Sequence, residues 1–188
     1  SNNFALEDKG TIAIVTGSNM SGKSTLLRTI GINLVLAYTG APTCAQNFSC
    51  SLFSIYSSMR VNDNLEKNIS SFYAELLRVK ILLDAIKQGK KIFYLLDEIF
   101  KGTNLHDRQV GAFNILKFLN TSSCIGMVST HDLDITNFAK DKSNVHNYFF
   151  KETYINDKIH FDYTLHNGVS NTSDALYLMK MIGLAIEE

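Results

Sequence analysis

Thr11–Thr25, TIAIVT followed by GSNMSGKST, decides the fold. Thr11–Thr16 is a β-branched apolar run that stops at Gly17, the pattern of a buried strand. From Ser24 to about Tyr38, Leu26, Leu27, Ile30 and Leu34 recur at helical spacing. Between strand and helix, Gly17–Ser24 satisfies GxxxxGK[ST] at every fixed position. Gly17 and Gly22 allow a turn where a Cβ would clash. The exposed N–H groups of such a loop cradle phosphate oxygens at a helix N-terminus, where the helix dipole favours anions. Lys23 is expected to reach the β- and γ-phosphates and the Ser24 hydroxyl to sit on Mg²⁺. The reading is therefore a P-loop for ATP with Mg²⁺, formed by Gly17, Ser18, Asn19, Met20, Ser21, Gly22, Lys23, Ser24 and Thr25.

Two further strand ends carry chemistry. Ile92–Leu96 (IFYLL) reads as a second buried strand and runs into Asp97-Glu98. Open α/β sheets bind ligands at the carboxyl ends of their strands. Asp97 is expected to hold Mg²⁺, and Glu98 to orient or deprotonate an attacking water. Cys124–Ser129 reads as a third buried strand and leads into Thr130-His131. A histidine there can contact the γ-phosphate or the water. The catalytic set is thus Glu98, His131 and Lys23. His106, His146, His160 and His166 have no such placement and read as structural. Ser70-Ser71-Phe72 precedes a helix over Ser71–Lys87. Ser71 and Glu75 there are roughly spaced as a capping box.

The remaining pattern fits one α/β domain over residues 1–188. Phe48–Tyr56 reads as a strand and Met59–Asn68 as a loop. The Ser71–Lys87 helix is expected to turn Leu76, Leu77, Ile81, Leu82 and Ile86 inward. His106–Leu119 and Leu133–Ala139 read as helices. Val145–Thr153 and Lys158–Leu165 read as an antiparallel pair turning at Asn156-Asp157. Thr172–Ile182 reads as a final helix. Strands alternating with helices imply a mostly parallel sheet covered on both faces.

Composition narrows the class. Hydrophobic residues make up 45% and charged residues 19%, a globular balance. Eighteen basic and eighteen acidic side chains give a formal net charge of zero. That argues against the chain gripping nucleic acid by its own charge, since phosphate neutralisation needs a basic excess. Cys44, Cys50 and Cys124 lack paired spacing and read as reduced, mostly buried thiols of a cytoplasmic protein. No apolar run reaches membrane-spanning length, and no signal peptide opens the chain. The first strand lies close to Ser1, so the chain is expected to be a domain of something longer.

The motifs together resemble the C-terminal ATPase domain of the MutS family of DNA mismatch-repair proteins. Gly17–Thr25 resembles the family's GPNMGGKST, and the Asn19-Met20 pair is more specific than a generic loop. Asp97–Asn104 (DEIFKGTN) resembles DEIGRGTS, Ser70–Glu75 (SSFYAE) resembles STFMxE, and Ser129–His131 resembles ATH. The resemblance implies a P-loop NTPase of ABC-ATPase type and a homodimer with composite ATP sites in the full-length protein. It implies that Asn19 contacts phosphates and that Ser70 reaches the ATP of the opposite subunit. DNA would be held by domains outside this chain. The family's adenine-stacking aromatic precedes the first strand, where Phe4 stands. Ser18 replaces proline, Ser21 glycine, Phe100 glycine, Lys101 arginine and Asn104 serine, which points to a divergent branch.

Two other classes share some of these features. The ATPase subunit of an ABC transporter has the same loop, Asp-Glu and histidine, but needs an LSGGQ-like signature before Ile92. A module whose nucleotide only glues a dimer is the reading in which the isolated domain turns over nothing.

Overall fold

The structure, a computed structural model, describes residues 2–6, 10–59, 71–155 and 158–170. Ser70, the Asn156-Asp157 turn, most of the Met59–Asn68 loop and the expected Thr172–Ile182 helix lie outside the described residues.

Six strands form one sheet: β1 (Ile12–Thr16), β2 (Ser54–Ser58), β3 (Ile92–Asp97), β4 (Ile125–Ser129), β5 (Val145–Ile155) and β6 (Lys158–Asn167). Their order across the sheet is β2-β3-β4-β1-β5-β6. The first five run parallel, and β6 closes antiparallel on β5 as the expected hairpin. Among the described residues three helices accompany them: α1 (Lys23–Tyr38), α2 (Ser71–Lys87) and α3 (Leu105–Asn120), with a short 3₁₀ helix at Leu133–Ala139.

β1, β3 and β4 are apolar up to their last residue because both faces are covered. Ile12, Ile14, Tyr94, Leu96 and Val128 face a core closed by Val79 and Leu82 of α2 and by Ile115, Leu116 and Leu119 of α3. The intervening residues Ala13, Val15, Leu95 and Met127 face Leu27 and Leu34 of α1. The result is three layers, with α1 on one side and α2 and α3 on the other. At Gly126 a Cβ would lie 2.3 Å from the Tyr94 carbonyl oxygen, so the large, fully buried Tyr94 is accommodated by the missing side chain across from it.

Three expectations are corrected. The strand expected over Phe48–Tyr56 is only Ser54–Ser58, displaced toward its C-terminal end. The chain before it is irregular and pinned to α1: the Tyr38 hydroxyl donates to Ser51 O at 2.8 Å and accepts from Phe53 N at 3.0 Å. Cys44 and Cys50 lie in that irregular stretch and are exposed, while Cys124 is buried. On α2, Leu76, Leu77 and Ile81 are exposed, and Val79, Leu82 and Ala85 are the buried residues. The helix is apolar on more than one face, so its periodicity did not single out the side packed on the sheet. Among the described residues no helix is long and apolar enough to cross a membrane.

Candidate functional site

The parallel strands bring three connections to one edge of the sheet. β4 lies between β1 and β3, with Ser129 in register with Val15 on one side and Asp97 on the other. The pairing continues past the strand ends, as Thr130 N donates to Val15 O and Glu98 N to Ser129 O, both at 3.0 Å. Gly17–Gly22, Asp97-Glu98 and Thr130-His131 therefore meet at the carboxyl edge, where open α/β sheets hold ligands.

The glycines of the first loop are there for steric reasons. Gly17 has φ 144° and Gly22 φ 113°, a region that side chains rarely enter. A Cβ on Gly17 would also meet Ser21 Oγ at 2.7 Å and Phe150 O at 3.1 Å. Met20, at the loop tip, is 86% exposed and left-handed at φ 70°. Lys23 opens α1 and folds back over the loop, donating to Gly17 O and Ser18 O at 2.7 Å each. Ser18 Oγ donates to the buried Glu152 carboxylate of β5 at 2.5 Å. The loop is thus pinned by its own lysine on one side and by β5 on the other.

Glu98 is the electrostatic centre. Its Oε1 lies 3.4 Å from His131 Nδ1 and 3.9 Å from Lys23 Nζ, and its Oε2 is paired with Lys101. The His131 contact, then Lys101 and the charge of Lys23, hold its carboxyl at about 2 against the opposing effect of burial. The pKa of Lys23 is lowered as well, here by burial, while Glu98 and Asp97 partly restore it. Asp97 Oδ1 accepts from the Ser129 hydroxyl, which fixes the carboxylate at the strand end.

Of the residues expected from the sequence, Lys23, Asp97, Glu98 and His131 are brought together here. Asn19, Met20, Ser21, Gly22, Lys23, Ser24 and Thr25 line one groove of ≈ 1830 Å³ with Asp97 and Glu98. Phe4 lies on the same groove, its ring edge-on to Tyr148 at 5.5 Å. Sequence reasoning missed Glu152, Tyr163 and the pairing of Lys101. Tyr163 lines the groove from β6, its Cδ1 3.5 Å from where a Gly22 Cβ would stand. Nothing in an alternating hairpin strand marks Glu152 and Tyr163, because their partners lie more than a hundred residues away.

The segment after β3 is sewn to the start of α2. The Phe100 ring meets Phe72 at 6.0 Å, and a Cβ on Gly102 would come within 2.9 Å of Phe72 Cβ. Burial raises the pKa of the Glu75 carboxyl, and the nearby backbone of Phe100 and Lys101 only partly opposes it. Asn104, standing where the related pattern has serine, caps α3: its Oδ1 accepts from Asp107 N at 2.9 Å.

Fold and site together define an α/β domain with a glycine-containing strand-to-helix loop and a carboxylate pair at the carboxyl edge of a mostly parallel sheet. The chain is more narrowly placed by its relatives. Residues 13–187 match the family model described as MutS domain V, and the chain belongs to that family. It is 28% identical over 98% of its length to the DNA mismatch repair protein MutS of Orientia tsutsugamushi (strain Ikeda). It is 27% identical over 97% of its length to the protein of the same name from Thermosipho melanesiensis. A third such relative, from Natronomonas pharaonis, is 27% identical over 92% of the chain. The chain spans only 21%, 22% and 20% of these three relatives, about a fifth of their length.

Proposed function

We propose that this chain is an ATPase domain of P-loop, ABC-ATPase type, which binds ATP with Mg²⁺ and hydrolyses it for a longer MutS-like protein. The observation that carries the reading is the convergence of Lys23, Asp97, Glu98 and His131 on the mouth of the Gly17–Gly22 loop. In this reading Lys23 exchanges its bonds to Gly17 O and Ser18 O for bonds to the phosphates. The loop N–H groups and Asn19 hold the remaining oxygens. Glu98 orients the attacking water, and His131 contacts that water or the γ-phosphate.

The donor set fits a magnesium site. Among the described residues no three His, Cys, Asp or Glu side chains are grouped to hold a metal by themselves. Mg²⁺ suits such a place, since it is bound by one or two protein oxygens together with substrate phosphates and water. Ser24 and Asp97 are the hard-oxygen ligands on offer. Bound there, the ion would neutralise charge developing on the phosphates.

The relatives' name supplies the wider role. As in a MutS protein, the nucleotide state would be coupled to DNA held by other domains, in a homodimer whose composite sites use Ser70 in trans. The test is nucleotide binding and turnover in two variants. Lys23→Ala is expected to weaken MgATP binding by about 10- to 100-fold, the worth of charged hydrogen bonds. Glu98→Gln is expected to keep binding and lose roughly 10²–10⁴-fold in turnover. Undiminished hydrolysis by the Glu98 variant would sink the assignment.

A further inference from the structure

In this structure both carboxylate oxygens of Glu98 face a partner, and each partner competes with a water for them. Oε1 faces His131 and Lys23, two groups that belong to the phosphate site itself. Oε2 faces Lys101, which lies three residues further along the chain. We propose that Lys101 is a positioning residue that holds Glu98 in a resting arrangement and so restrains hydrolysis. This rests on the ATPase reading above and adds a brake to it.

The geometry of the segment favours such a role. Glu98 and Phe100 both adopt left-handed backbone, φ 50° and 63°. These conformations are unfavourable for residues with bulky side chains and persist where surrounding contacts impose them. The contacts are visible: Phe100 is buried between Phe72 and Gly111, where a Cβ would lie 2.8 Å from its ring. The bent backbone turns Lys101 back toward Glu98. The related pattern has glycine and arginine where this chain has Phe100 and Lys101. A glycine would relax the left-handed position, and an arginine would offer a fork rather than a single ammonium.

Lys101 is also placed to let go. Its side chain is 36% exposed, against 15% for Glu98, and it lines the same groove as the loop. Release needs only rotation of a surface side chain, after which Oε2 is free to accept from water. An exposed pair of this kind is weak, so its removal changes the population of free Glu98 by a small factor, about two- to fivefold.

The experiment is single-turnover hydrolysis and, separately, MgATP affinity for the chain carrying Lys101→Met or Lys101→Arg. The expected result is a turnover rate raised about two- to fivefold in Lys101→Met, with affinity unchanged. In Lys101→Arg the restraint returns and the rate falls back. Thermal melting of both variants separates this from altered folding. A rate in Lys101→Met equal to or below that of the unsubstituted chain, with ATP still bound, overturns the brake and leaves the ATPase reading standing. Absence of ATP binding by the unsubstituted chain overturns both.

Discussion

At the scale of single residues, Ser18 shows how a departure from the related pattern has been absorbed. A proline in its place has no hydroxyl to offer, whereas Ser18 Oγ donates to a Glu152 carboxylate that is 3% exposed. A buried carboxylate that loses a donor forfeits roughly 1–3 kcal/mol. Ser18→Ala is therefore expected to lower the melting temperature by about 2–4 °C for each kcal/mol lost, in a chain of this size. Calorimetry of the two proteins measures it, and coincident melts would show that the bond contributes nothing. Lys23, Asp97, Glu98 and His131 were legible because each follows an apolar strand in a recognisable motif. Glu152 was not, because what brings it to the loop is the pairing of β5 with β1, and that pairing has no local signature.

At the scale of elements, the best-read pieces are those whose boundaries have a chemical cause. β1 ends where Gly17 leaves the allowed region for other residues, and α3 starts where Asn104 supplies an acceptor. Asn104→Ala removes that cap and is expected to cost about 0.5–2 kcal/mol, read from denaturant unfolding. A shift in midpoint with the slope retained would locate the loss in the folded state's stability. No change in midpoint would mean that packing of α3, through Ile115, Leu116 and Leu119, decides its stability without the cap. The misread elements lack such causes. α2 has apolar residues on more than one side, and only contact with β3 and its neighbours selects Val79, Leu82 and Ala85. Phe48 and Phe53 read as strand, but both pack partly against the α1-side core from irregular backbone. Aromatic residues fill that space whether or not they join the ladder.

At the scale of the whole molecule, the layer order and the parallel sheet followed from alternation of strand and helix, whereas the order β2-β3-β4-β1-β5-β6 did not. Which strands neighbour one another is set by crossovers that leave no mark on composition. Composite sites make a prediction that belongs to this scale. If a second copy completes each site, ATP turnover per chain rises with protein concentration and then levels off. Steady-state rates measured over a wide dilution series check this, and a constant rate per chain would mean that each site is complete in one copy.

The position of β1 also bears on how the protein is made. Ile12 is synthesised well before its ladder partners, Gly126 and Val145. Bringing such distant segments together costs loop-closure entropy before any contact rewards it, so these pairings form late. During synthesis the glycine-rich loop leaves the ribosome long before the strands that will frame it. Until β4 and β5 arrive, an apolar strand waits with both edges unpaired. The nascent chain is thus exposed to aggregation in the interval between the synthesis of β1 and that of β5.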